Sequence, residues 1–220
     1  ADECRPFEFG GETIGLSICE DAWNDPLLFR HRPYAIDPIE MLAAQGARLM
    51  INISASPFSV GKEAFRAELM ASHARRHQCP FVFVNQVGGN DELVFDGRSL
   101  VVNARGEVAM VLPAFGEDMR IFDTGASVAT GAYVPIEDKE SIRTARVLGL
   151  RDYFSKCGFD RAVVGLSGGI DSAVTLCLAA GALGPANVLG IAMPSPFSSA
   201  QSLDDARTLA VALGVKLEII

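Results

Sequence analysis

Arg161-Ala-Val-Val-Gly-Leu-Ser-Gly-Gly-Ile-Asp-Ser172 is an apolar strand, a glycine turn and the start of a helix, and the residues around it repeat that order. A helix to about Lys156, a strand at 161–166, a helix at 171–183, a strand at 188–192, a helix at 200–213 and a strand from Val215 alternate strictly. Such alternation predicts a doubly wound parallel sheet. In the turn, Gly168 and Gly169 are free to take positive φ, so backbone N–H groups can converge on an anion in front of a positive helix end. The loop lacks the lysine of a Walker loop and the spacing of a dinucleotide fingerprint. Ser167 and Ser172 offer hydroxyls instead, and the Asp171 carboxylate suits a Mg2+ ion that neutralises pyrophosphate. The competing reading is an ordinary strand-to-helix turn capped by Asp171 or Ser172, and the whole string after an apolar strand argues against it.

The next strand-to-helix turn, Ala192-Met-Pro-Ser-Pro-Phe-Ser-Ser199, falls on the same carboxyl edge of the sheet. Met193 and Ser195 are placed there to border a nucleotide, or else the loop only caps the next helix through Ser198 or Ser199. Upstream, the stretch from Gly125 to Glu140 mixes Gly, Pro and charge without a period, as a linker does. The expected division is 1–125, a linker at 126–140, and 141–220. The first part predicts strands at 13–19, 48–53 and 81–84, helices at 38–47 and 62–77, and a hairpin around Ala104-Arg105-Gly106. Residues 1–125 hold 11 basic and 18 acidic side chains and 141–220 hold 7 and 6, so only the second part suits a polyphosphate.

The 220 residues carry 19 basic and 27 acidic side chains, a net charge of −8, which is the wrong sign for a general nucleic-acid binder. No stretch approaches the roughly 20 apolar residues of a membrane span, so no membrane partner is expected. The five cysteines are widely spaced with no CxxC pair, which encodes neither a disulfide framework nor a zinc site and fits a reducing cytoplasmic setting. The start lacks a signal peptide, the last residues read as a strand in progress, and both ends are expected to be cut.

Cys19 closes the strand Glu12-Thr-Ile-Gly-Leu-Ser-Ile-Cys and is followed at once by Glu20-Asp21-Ala22-Trp23. A thiol at such an elbow is placed to attack a substrate, although position alone equally fits a packing cysteine. The wider sequence bears on that choice. ICEDAW, then Asn52-Ile-Ser-Ala-Ser-Pro-Phe58 and Lys62, resembles the nitrilase-like glutaminase domain of glutamine-dependent NAD+ synthetases, and SGGIDS resembles the ATP pyrophosphatase loop of their second domain. The opening Asp2 to Glu8, the segment from Phe83 to Ser99 and the Met193-Pro-Ser195 turn are similar to the same family.

The resemblance implies an α/β protein: part of a nitrilase-like αββα sandwich, then the start of a doubly wound ATP-pyrophosphatase domain. Cys19 would take the acyl group of glutamine as a thioester and free ammonia, with Glu20, Ser56 and Lys62 holding the glutamine. Gly165, Leu166, Ser167, Gly168, Gly169, Ile170 and Ser172 would hold ATP, bordered by Met193 and Ser195, with Asp171 on Mg2+. The implied reaction adenylates deamido-NAD+ and displaces AMP with ammonia, giving NAD+ in an enzyme that is a homo-oligomer at full length.

The family's general base and lysine precede the cysteine by more than the 18 residues present, and Lys62 does not replace that lysine. An ordinary cysteine thiol is only a few per cent thiolate at neutral pH, so this chain alone is expected to show little glutaminase activity, weak ATP binding and no amidation. The alternatives are a glutaminase-like domain fused to another adenylating amidotransferase, or a non-catalytic nucleotide-binding remnant. Of the remaining candidates, His73 and His77 read as a solvated helix face rather than a metal pair. Asp204 and Asp205 read as serving a helix dipole rather than a second cation. Trp23 reads as packing the elbow, and the other four cysteines as core or surface residues.

Overall fold

The computed structural model describes residues 4–29, 34–124, 132–196 and 199–220. Asp2, Glu3, Ser198 and the expected linker residues 126–131 lie outside them. The chain divides into two compact units, one of residues 1–88 and 94–141, the other of residues 89–93 and 142–220.

The first unit is built on a six-stranded sheet of β1 (Phe7–Phe9), β2 (Glu12–Ile18), β3 (Leu49–Ser54), β4 (Phe81–Asn85), β7 (Leu100–Val102) and β8 (Val108–Val111), in that order. A two-stranded hairpin of β5 (Val87–Asn90) and β6 (Leu93–Asp96) interrupts the chain between β4 and β7. β2, β3 and β4 run parallel, with Ile18 opposite Ile53 and Ser54 opposite Asn85, so their carboxyl ends share one edge. The β1, β7 and β8 pairings are antiparallel, and the last is the hairpin expected around residues 104–106. β1 and the β5–β6 hairpin escape the sequence pattern, being only three or four residues long and, in Val87–Asn90, half glycine.

Two helices supply the parallel crossovers. α1 (Pro38–Ala44) starts where the Asp37 carboxylate accepts the Glu40 N–H, with Pro38 setting φ for the first turn. α2 (Lys62–His77) matches its expected bounds and ends in Arg75, Arg76 and His77, the right charge for a helix C-terminus. Both pack on one sheet face, where Ile39, Leu42, Leu69 and Met70 cover Met50, Phe81, Phe83, Leu100 and Val102. Each buried Phe or Leu there contributes about 1.5–3 kcal/mol, enough to pin strand register. Leu16, Ile18, Ile53 and Val84 point to the opposite face and are exposed.

α3 (Asp138–Cys157) begins in the first unit and continues into the second, and it takes in the last three residues of the expected linker. Asp138 and Glu140 looked like linker charge, but acids in a first turn favour a helix. β9 (Ala162–Leu166), α4 (Ile170–Leu183), β10 (Val188–Ala192), α5 (Ala200–Leu213) and β11 (Lys216–Ile219) follow as the alternation predicts. The three strands form a parallel sheet in the order β11-β10-β9 around Val164, Leu166, Leu176, Val188 and Ala206. Among the described residues no helix is long and apolar enough to cross a membrane.

Candidate functional site

In the first unit β2 ends at Ile18, and Cys19–Ala22 form a single 3-10 turn. Cys19 has φ +48°, a left-handed conformation that costs a non-glycine residue about 1–2 kcal/mol. The turn is held shut locally. The Asp21 carboxylate accepts the Ile18 N–H at 2.8 Å, and the Trp23 N–H donates to the Glu20 carbonyl at 2.8 Å. The elbow lifts Cys19 out of the strand and leaves its side chain partly exposed instead of sealed in the core.

The residues expected beside Cys19 gather at the same sheet edge with different degrees of freedom. Glu20 is exposed and accepts the Tyr34 hydroxyl at 2.6 Å, a bond that pushes the Tyr34 phenol up from its ordinary pKa. Lys62, at the first position of α2, places its ammonium 5.2 Å from the Trp23 ring centroid. Burial lowers its pKa and the neighbouring Arg66 lowers it further, while Asp96, Cys19 and Glu20 pull the other way, which puts Lys62 within electrostatic reach of the thiol. Ser56 follows β3 and is 2% exposed, with its N–H donating to Asn85 Oδ1 at 2.8 Å. Its carbonyl accepts from Arg66 and Asn85, and its hydroxyl is buried with no partner among the described residues. Trp23 packs against Phe29 and Phe65, as expected.

Several residues that shape this edge carry no sequence signal of their own. Arg66 and Asp96 form a buried ion pair under Ser56, with the guanidinium over the Phe83 ring. Asn85 ties Ser56 to the Gly97 carbonyl. A polar residue ending an otherwise apolar strand, as in Phe81-Val-Phe-Val-Asn85, was the one hint available. His73 corrects an expectation: it is 1% exposed and stacked on Phe81 and His77, so it is no solvated face. The periodicity of α2 puts His73 one turn after Leu69, on the side that meets the sheet. Among the described residues no group of three His, Cys, Asp or Glu side chains could hold a metal.

In the second unit the 167–172 loop leaves the carboxyl end of β9. Gly168 has φ +81°, but Gly169 does not: it is the extended N-cap of α4, with φ −86°. Its role is close approach, since a Cβ there would sit 3.3 Å from Ser167 Oγ. Gly168 has no room for a side chain either, because a Cβ would fall 2.4 Å from the Ser202 carbonyl oxygen of α5. Neither Asp171 nor Ser172 is the cap. Ser172 Oγ donates to the Gly169 carbonyl at 2.9 Å and accepts the Ser167 N–H at 3.3 Å, while the Gly169 N–H donates to Ser167 Oγ at 3.3 Å. The first-turn N–H groups of Ile170 and Asp171 have no intrahelical acceptor and remain available to an anion.

A recess of about 100 Å3 lies beside the loop, lined by Leu166, Ser167, Ala192, Met193, Pro194, Ser202 and Leu203. Gly165 faces Met193, whose Cε a Cβ there would meet at 3.7 Å. Ile170 and Ser195 do not line the recess, and Ser202 and Leu203 were not foreseen. α5 is capped by Ser199, which accepts the Ser202 N–H at 3.1 Å. Asp204 and Asp205 lie past its first turn, so they do not serve its dipole as expected. Asp204 pairs with Arg207 and Asp205 accepts from Gln201.

The carbon-nitrogen hydrolase family profile matches residues 2–130, more than half of the chain. Over that span the chain belongs to the carbon-nitrogen hydrolase family. The NAD synthase profile matches residues 142–220. The chain is 45% identical over 219 residues to a glutamine-dependent NAD(+) synthetase of Synechocystis sp., covering 97% of the chain and 39% of that protein. A Rhodobacter capsulatus protein of the same name is 39% identical, covering 98% and 38%. The solved glutamine-dependent NAD+ synthetase of Acinetobacter baumannii, in complex with adenosine diphosphate, superposes with a TM-score of 0.86 at 35% identity, covering 97% of the chain and 39% of that structure. The carbon-nitrogen hydrolase unit and its neighbour thus span about two fifths of the length of these relatives.

Proposed function

We propose that the chain carries the thiol elbow and the nucleotide loop of a glutamine-dependent NAD+ synthetase. The Cys19 sulfur attacks the side-chain amide carbon of glutamine, the C–N bond breaks, and the amide nitrogen leaves as ammonia with the thiol proton. Water then hydrolyses the thioester to glutamate and restores the thiol. Glu20 and Lys62, of opposite charge, match the ammonium and carboxylate of the glutamine amino-acid end, whereas the Ser56 hydroxyl is buried and does not face solvent. The general base and the lysine that the family places before the cysteine have no match among the residues preceding Cys19.

In the second unit, the amides of Ile170 and Asp171 and the Ser167 and Ser172 hydroxyls hold the ATP phosphates, and the recess beside Met193 takes part of the nucleoside. A Mg2+ ion fits Asp171, since this cation is commonly held by one or two carboxylates together with substrate phosphates. It would neutralise charge on the departing pyrophosphate. Adenylation of the deamido-NAD+ carboxylate followed by attack of ammonia forms the amide and releases AMP.

The single observation that carries this reading is Cys19 held at positive φ on the carboxyl end of a parallel strand, partly exposed and followed at once by the exposed Glu20. The test is Cys19→Ala in the complete protein carrying this chain. Glutamine-driven amidation should be lost while ammonium-driven amidation persists, and glutamine-driven turnover by the variant would overturn the reading.

A further inference from the structure

The turn that begins with Cys19 is gripped at both ends by buried side chains from two different elements. At its start stands Asn52, fully buried on β3, whose Nδ2 donates to the Cys19 carbonyl at 3.3 Å and to Ser17 Oγ at 2.9 Å. The Asn52 Oδ1 accepts the Ser54 hydroxyl at 2.6 Å, which fixes the amide's orientation. At the far end His73, on α2, brings Nε2 to 2.7 Å from the Ala22 carbonyl oxygen. A carbonyl only accepts, so the proton of this ring sits on Nε2.

The ring itself has no freedom. It lies between Phe81, with centroids 5.8 Å apart, and His77, at 6.2 Å. Nδ1 has no hydrogen-bond partner among the described residues and stands 3.8 Å from Asp25 Oδ2. Asp25 in turn accepts the Ser72 hydroxyl and the Leu27 N–H, with Arg76 3.6 Å away. A four-residue turn that departs from favoured backbone geometry persists only when its surroundings over-determine it, and here the first and last carbonyl groups are both tied to the core.

We propose that Asn52 and His73 are positioning residues that hold the Cys19–Ala22 turn by its two end carbonyls and so aim the thiol at an amide carbon. The proposal rests on the reading of Cys19 as the nucleophile. A thiol displaced by about 1 Å loses roughly 100-fold in rate without any change in what binds the substrate.

The experiment measures steady-state glutamine hydrolysis by the complete protein, with ammonium-driven amidation as the control for folding. Asn52→Ala and His73→Leu are expected to lower kcat by about 10- to 100-fold while KM for glutamine moves less than about threefold. His73→Gln, which keeps an N–H donor near the Nε2 position, is expected to return kcat to within about threefold of the parent. Equal kcat in parent, Asn52→Ala and His73→Leu would overturn the proposal, as would a His73→Gln variant as slow as His73→Leu, the mark of a packing role. Should the larger changes prevent folding, Ser54→Ala removes only the hydroxyl that orients Asn52 and should still lower kcat several-fold at constant KM, whereas an unchanged kcat overturns the proposal. Failure of the nucleophile reading is distinguishable: Cys19→Ala would then keep hydrolysing glutamine, whatever Asn52 and His73 do.

Discussion

The Cys19 turn and the 167–172 loop stand at corresponding places, each just past the carboxyl end of a parallel strand, yet they are held in opposite ways. Cys19 sits on a turn fastened by buried Asn52 and His73, at a sheet edge where Arg66 and Asp96 form a buried ion pair beneath Ser56. The 167–172 loop is exposed and fastened by its own serines and by Gly168, which lets α5 come close. The difference follows from what each presents. One reactive atom must be aimed, which demands rigid side chains from outside the turn. An anion is met by several backbone N–H groups at once, which demands that side chains stay away.

The largest effect should come from the ion pair beneath Ser56. Asp96→Ala leaves the Arg66 charge buried and unpaired, and a denaturant titration should show a loss of about 3–5 kcal/mol. A loss below about 1 kcal/mol would mean that the floor of the Cys19 edge is not rigid. Next comes Gly168→Ala, whose Cβ would meet the α5 backbone and whose φ is left-handed. It should cost about 1–3 kcal/mol and abolish nucleotide binding measured by calorimetry. If binding survives, the loop is not kept clear of side chains for an anion.

Ser172→Ala tests the internal fastening of the loop. Loss of the bonds to Gly169 and Ser167 should cost about 1 kcal/mol and weaken nucleotide several-fold, far less than the glycine change. The smallest effect concerns pH. Burial lowers the pKa of His73 and, with less burial, of His77, so the unfolded chain binds protons that the folded chain refuses. Stability is therefore greatest above the ordinary histidine pKa of about 6.5 and falls as pH drops below it. The denaturation midpoint should decline from about pH 7.5 to about 5.5, with a shallower slope after His73→Gln. A midpoint that rises on acidification would contradict the buried neutral ring.

How much of this was visible in the sequence differs between the two regions for a physical reason. α2, β10 and α5 fall where hydrophobic period and cap residues put them, and the 167–172 loop is readable because its bonds are local, spanning no more than five residues. The Cys19 elbow depends on Asn52 and His73, 33 and 51 residues away, and no local pattern reports such contacts. His73 looked solvated because two arginines follow it, whereas only Arg75 is exposed and Arg76 turns inward to pair with Asp37. β1 and the β5–β6 hairpin were too short to show a period of two, and Asp138 and Glu140 passed for linker because charge marks both linkers and helix starts.

The central claim is that one thiol of five is aimed for attack, and a covalent trap tests it most directly. The complete protein would be treated with a glutamine analogue carrying a diazoketone in place of the side-chain amide, and the adduct located by peptide mass spectrometry. A single adduct on Cys19 is expected, despite the exposed Cys157 and Cys177. Label on those exposed thiols with none on Cys19 would contradict it.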